Sequence, residues 1–350
     1  MRRAAPLIAV IGLALLSACD RAAAPAWTWS GEGPSRTGLH PLEDGVLFGN
    51  EAGALVRLGA DGEPRWTAQV GREIAARPTV VGETAVAATV GGEWVGLALD
   101  TGRELWRVGD KPVLLLPLAA DDKRVYAVAP DGSVLAFSPL SGGTVWKRVP
   151  PKGYTATPSP SAPPALLGGT LFVGLGDAGL FALEPEFGDV LWHAPKLDVQ
   201  GVLAEGERLY VLTRDGRMLA VSAKSGAVEW ERKLDRGVSG GPFLARGLLW
   251  VATAGVGLLA IDPQDGTETW HVELPGALRG GVAEYRELVL VPTSSREGRL
   301  LGFRPGRDEP VVDVRADSAL RSTPVVFGST VVVQASDGRV LAWTVRRTTP

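Results

Sequence analysis

Leu209-Tyr210-Val211-Leu212-Thr213-Arg214-Asp215-Gly216-Arg217-Met218-Leu219-Ala220-Val221-Ser222-Ala223-Lys224-Ser225-Gly226-Ala227-Val228-Glu229-Trp230 carries the pattern from which the fold can be read. Leu209 to Leu212 and Met218 to Val221 are short apolar runs of strand length. Asp215-Gly216 between them supplies the backbone freedom of a tight hairpin. Ser225-Gly226 turns the chain again. Val228 and Trp230 then share one face while Glu229 and Glu231 share the other, the period-two alternation of a half-buried strand.

The same pattern recurs on both sides. Its closing tryptophans are Trp66, Trp106, Trp146, Trp192, Trp230 and Trp270, with gaps of 40, 40, 46, 38 and 40 residues. The first hairpin of each copy turns near Gly53, Gly91-Gly92, Asp131-Gly132, Gly179, Asp215-Gly216, Gly255 to Gly257, Gly298 and Asp337-Gly338, which makes eight copies. Pro78-Thr79-Val80-Val81, Pro242-Phe243-Leu244 and Pro324-Val325-Val326 suggest a further strand before each hairpin. Four short strands per repeat of this length make a propeller blade. The reading is therefore all-β: an eight-bladed β-propeller of four-stranded antiparallel blades over residues 27–347. The eighth copy runs out after Leu341-Ala342-Trp343, and an orphan segment, Trp27-Thr28-Trp29-Ser30, precedes the first. An N-terminal strand that completes the last blade and closes the ring is expected, because closure removes two exposed sheet edges.

Ala98-Leu99-Asp100-Thr101-Gly102 with Trp106, and Ala260-Ile261-Asp262 with Gly266 and Trp270, resemble the tryptophan-docking motif of quinoprotein-type propellers. The resemblance implies that each of the six tryptophans lies between neighbouring blades and that the small Ala lets strands pack closely. It speaks of fold, not of chemistry. Arg57 stands near where other copies have Ala, and the seventh copy has Gly302 for Ala and Val311-Val312 where Trp belongs. The 46-residue gap comes from a Pro-rich loop, Pro150 to Ser161, read as a solvated excursion or a partner contact.

Residues 1–18 read as a signal peptide, with Arg2 and Arg3 ahead of a short apolar run, Ala4 to Leu16. Leu16-Ser17-Ala18-Cys19 resembles the bacterial lipobox, which implies a diacylglycerol on Cys19 and a lipidated tether over residues 19–26. Cys19 is the one cysteine, so an internal disulfide is excluded. Asp20 resembles the inner-membrane retention signal of enteric bacteria. The expected location is thus the cell envelope, at the outer membrane facing the periplasm, with the cytoplasmic membrane as the alternative.

The formal charge is −3, and about −5 once Arg2 and Arg3 are removed with the leader. A mildly acidic chain without a basic aromatic stretch is a poor nucleic-acid binder. A quinone-dependent enzyme of this fold would need Ca²⁺ held by Glu, Asn and Asp oxygens, an Asp base and, in that family, adjacent cysteines. The cysteine pair is absent and Asn50 is the single Asn. His193 and His271 each follow a docking Trp, so they occupy equivalent blade positions; His40 stands apart, and no metal spacing links the three. No catalytic residue, metal or cofactor is expected. The repeated Asp-Gly pairs are read as turns.

Lipobox, length, blade count and closing strand together resemble the BamB family of scaffold lipoproteins of the outer-membrane β-barrel assembly machinery. This implies a scaffold that binds a BamA-like assembly protein or nascent barrel proteins while tethered to the membrane. The family's partner-binding Leu-Arg-Gly segment is not found before the fourth blade, where the Pro-rich loop stands. Leu278-Arg279-Gly280 before the seventh blade and Leu320-Arg321 before the eighth are the candidates that remain, against the competing reading of chance Leu-Arg pairs. The other functional readings are a small quinone-dependent enzyme and a membrane-anchored ligand sensor.

Overall fold

A computed structural model describes residues 24–151, Pro158 and 162–345. Cys19 and most of the Pro-rich loop lie outside the described residues, as do the last two positions of the expected propeller span. The described residues form eight four-stranded antiparallel sheets and no helix. Seven sheets are built from consecutive strands. The quoted stretch belongs to blade five, whose strands are Val199–Glu205, Arg208–Thr213, Arg217–Ser222 and Val228–Lys233. First strands of neighbouring blades meet one another, so they form the inside of the ring. Fourth strands lie at the rim with one edge unpaired.

The eighth sheet closes the ring as expected. Its outer strand is Trp27–Trp29, in register with the far end of the chain: Trp27 opposite Ala342, Thr28 opposite Leu341, Trp29 opposite Val340. Trp29 reaches on to Phe48 of blade one, edge-on with 5.3 Å between ring centroids.

The core is a set of eight apolar wedges, each shared by two adjacent blades. Between blades two and three, the Trp94 and Phe137 rings pack with 4.4 Å between centroids, tilted by 35°. Trp94, Trp250 and Trp343 are almost wholly buried. At about 25 cal/mol per Å², each such indole contributes roughly 4–6 kcal/mol of gross burial, before conformational entropy is set against it.

A repeated hydrogen bond adds direction to these wedges. The indole Nε1 of Trp66 donates to the carbonyl of Leu99 in the next blade (2.8 Å), that of Trp106 to Pro139 (2.7 Å), and that of Trp146 to Pro185 (2.9 Å). Trp192 donates to Ala223 and Trp230 to Pro263. Trp27 does the same to Ala60 (3.2 Å), so the closing strand carries a docking indole as well. Trp270 uses a side chain instead, Asp308 Oδ1 at 2.7 Å.

Opposite each indole in its own sheet stands a small residue: Ala136, Ala182, Ala220, Ala260 and Ala342 face Trp146, Trp192, Trp230, Trp270 and Trp27. In blade two this residue is Gly96, not Ala98. Ala98 is instead the equivalent of Asp262: Gly102 N–H bonds the Ala98 carbonyl (2.8 Å) as Gly266 N–H bonds that of Asp262 (2.9 Å), and in both blades the small residue stands ten positions before the Trp. A Cβ on Gly96 would lie 2.2 Å from the Trp106 ring.

Two departures from the pattern are resolved by local chemistry. Arg57, opposite Trp66, sends Nη1 to the same Leu99 carbonyl (2.8 Å) and Nη2 to Asp44 (2.8 Å), so it adds an inter-blade contact. In blade seven, Gly302 faces Val312 and there is no indole. Tyr285 fills the role: its hydroxyl donates to Val345 at 3.0 Å. Val345 follows its third strand just as Ala60 and Leu99 follow theirs, each N–H returning to the residue just before its second strand. Blade seven is therefore tied to blade eight at the equivalent carbonyl by a different side chain.

Candidate partner-binding surface

The segments that carry the chain from the rim of one blade to the inner strand of the next are built alike. Ser336 N–H bonds Ala319, Ser294 N–H bonds Ala277 and Glu51 N–H bonds Pro34, all through backbone carbonyls. Two residues after each acceptor stand Arg321, Arg279 and Arg36. The three arginines thus occupy one repeat position in three successive blades: seven, eight and one. All three are exposed. The same position in blades two, five and six holds Ala75, Gln200 and Ser239, counted from the equivalent bonds to Glu73, Asp198 and Gly237. The result is an arc of arginines at one repeat position of three neighbouring blades. Arg36 is held by Glu51 of the adjacent hairpin turn at 2.5 Å.

The leucines of the two Leu-Arg pairs behave differently. Leu278 is buried in the wedge between blades six and seven, and Leu320 in the one between seven and eight. Each pair therefore plugs a core with its first residue and presents its second to solvent. Arg36 was not legible as a member, because blade one has Ser35 where the others have Leu. Ser35 is satisfied by the Gly49 carbonyl at 2.5 Å. The available signal was the shared Arg-Ser/Thr step, Arg36-Thr37 and Arg321-Ser322.

His40 and Arg77 lie together where the inner strands of blades one and two begin. Burial, then the charge of Arg77, pushes His40 down to about 4. Burial also lowers Arg77. His193 is in blade four, stacked on Phe181 with 3.9 Å between centroids and bonded to the Ala178 carbonyl at 2.8 Å. His271 is in blade six, so the three histidines are kept apart by the repeat itself. Among the described residues no group of three His, Cys, Asp or Glu is placed to hold a metal ion. What the faces can do is recognise: arginines offer planar, multidentate donors to carboxylates and to backbone oxygens.

This is a large ring propeller with indole-clipped blades, the class of protein to which repeat scaffolds and quinoprotein dehydrogenases alike belong. The family described as outer membrane protein assembly factor BamB matches residues 14–114, 110–200, 197–307 and 257–348, and the chain belongs to that family. The outer membrane protein assembly factor BamB of Bordetella pertussis is 31% identical over 176 residues, 47% of this chain and 44% of that protein. The chain spans about half the length of the curated relatives it matches. The crystal structure of BamB from Moraxella catarrhalis superposes with a TM-score of 0.76 at 17% identity, covering 92% of this chain and 99% of that one. The quinohemoprotein alcohol dehydrogenase of Comamonas testosteroni superposes with a TM-score of 0.74 at 14% identity, over 91% of this chain and 76% of that one, which is a likeness of fold.

Proposed function

We propose that this chain is a non-catalytic envelope scaffold that assists assembly and insertion of β-barrel proteins into the outer membrane through protein–protein contacts. The family match along the whole ring carries this reading. A lipid anchor on Cys19 would hold the ring at the membrane, since each buried methylene adds about 0.8 kcal/mol and several acyl chains act together. The partner is a BamA-like outer-membrane assembly protein, or the nascent barrel proteins themselves. Arg279 and Arg321, joined by Arg36, are the contact residues proposed, with Leu278 and Leu320 setting the backbone beneath them. An arc of arginines selects a partner segment rich in carboxylates and free carbonyls.

The test is affinity capture of the acylated protein from detergent-solubilised envelopes of the cells that make it. An outer-membrane assembly protein should come down with it, and Arg36→Glu/Arg279→Glu/Arg321→Glu should weaken that capture while leaving the folded ring intact. Capture of no such protein by the unaltered chain overturns the reading.

A further inference from the structure

In every blade one row of paired residues runs inward from the outer strand. In blade one it is Trp66, Arg57, Leu47 and His40; in blade three it is Trp146, Ala136, Tyr126 and Ala119. The row fixes equivalent positions on the inner strands. At its inner end blade one has His40, blade two has Thr79, and the other six blades have an apolar residue. Two residues before that end stands Gly, Pro or Thr, from Gly38 in blade one to Thr323 in blade eight. Blade two alone differs, with Arg77. The repeat therefore sets its two departures side by side, both basic, and no carboxylate occupies either set of positions.

A guanidinium is costly to desolvate without an anion. The chain observes this elsewhere. Among the described residues, the half-buried arginines Arg57, Arg124, Arg208, Arg217, Arg299 and Arg339 have Asp44, Asp121, Glu229, Glu231, Asp313 and Asp337 beside them, in that order. Arg77 is half-buried too, yet no carboxylate or carbonyl of the described residues accompanies it. The one group acting on it is another base, His40, whose ring also makes no hydrogen bond among the described residues. Neither is sealed off. The wholly buried polar atoms without a partner belong to Arg57 and Gln334 among the described residues, so the nitrogens of Arg77 and His40 stay open to solvent. There is room as well. A Cβ on Gly281 of blade seven would lie 2.7 Å from Thr323 Oγ1 of blade eight, whereas one on Gly38, the equivalent in blade one, would meet nothing within 4 Å.

We propose that Arg77 and His40 together bind a small oxyanion, a carboxylate or a phosphate, where the inner strands of blades one and two begin. The guanidinium presents paired, coplanar N–H donors that match two oxygens of one anion. The imidazole adds a donor from its ring N–H. The anion supplies the counter-charge that every other half-buried arginine obtains from the chain. The site is separate from the arginine arc, whose nearest member, Arg36, is exposed and held by Glu51. It goes beyond the scaffold reading and does not rest on it.

The experiment uses the purified chain with inorganic phosphate and with succinate, each against sodium chloride at matched ionic strength. Calorimetric titration reads binding, and the imidazole NMR signals of the three histidines, with His40 assigned through His40→Gln, read where it occurs. The expected result is saturable binding of at least one probe that moves the His40 signals and leaves those of His193 and His271 in place. The tighter probe names the class of anion. Arg77→Gln should weaken binding by about tenfold or more. Free of ligand, this variant should unfold at the same or a higher temperature, because it removes a cation without a partner, and the bound probe should no longer raise that temperature. Arg279→Glu in the arc should leave binding unchanged. Binding of neither probe, equal binding by Arg77→Gln, or saturation without movement of His40 overturns the site. A clear fall in the unfolding temperature of ligand-free Arg77→Gln also overturns it, since Arg77 would then be held by the chain itself. None of these outcomes touches the capture experiment, so the scaffold reading stands or falls separately.

Discussion

The carbonyl of Leu99 accepts two hydrogen bonds from the blade before it, one from the Trp66 indole and one from Arg57. The Trp66 ring also rests against Gly102, where a Cβ would come within 2.6 Å of it and where φ is +69°. Trp66→Ala should cost about 3–5 kcal/mol, the range for large buried aromatics, and Gly102→Ala about 1–3 kcal/mol from overpacking and backbone strain; urea unfolding measures both. Tyr285→Phe should cost about 1–2 kcal/mol, because it strands the Val345 carbonyl in a buried joint. His40 gives a pH dependence. Its unfolded value is 6.5 and its folded value about 4, so the unfolded chain takes up the proton first as pH falls. Stability is fully present above about 6.5, declines between there and about 4, and is flat below; the loss is at most roughly 3 kcal/mol. Urea midpoints at about pH 7.5 and about pH 4.5 should differ, and His40→Gln should shrink the difference.

Among the elements, the closing strand is the shortest to do so much. Thr28→Pro should remove its ladder bonding and free Val340–Thr344 on the other side, which amide exchange in that strand would show as faster than in any other third strand. This element was legible in the sequence because two tryptophans without a repeat needed a place, and because the last copy lacked a strand. Trp27 was not among the six tryptophans read as docking indoles, although its spacing from Trp66, 39 residues, fits the repeat. The turns were legible because each hairpin needs glycine or Asp-Gly at fixed offsets. The replacement of an indole by Tyr285 was not: tyrosine sits three strands earlier in its repeat, and only the folded ring brings its hydroxyl to Val345. The arginine arc was half legible. Arg279 and Arg321 stood out by their leucines, while Arg36 is united with them only by equivalent backbone bonds across three blades.

For the whole molecule, function rests on a ring whose two faces and rim differ from sector to sector. Blades seven, eight and one carry the arginine arc. Cys19→Ala should release the chain from envelope membranes into the soluble fraction while its unfolding midpoint stays the same, since the propeller begins at Trp27. Fractionation of the two membranes in the same experiment tests the part played by Asp20.

The N-terminal rim strand has one more consequence. Cys19 lies eight residues ahead of Trp27, so an acylated chain is moored through the strand that seals blade eight. Any tug between bilayer and partner runs into that short ladder before it reaches any other blade. With Cys19 acylated as proposed, the mooring line and the clasp would be one piece of chain, and load on the first would be felt as a loosening of the second.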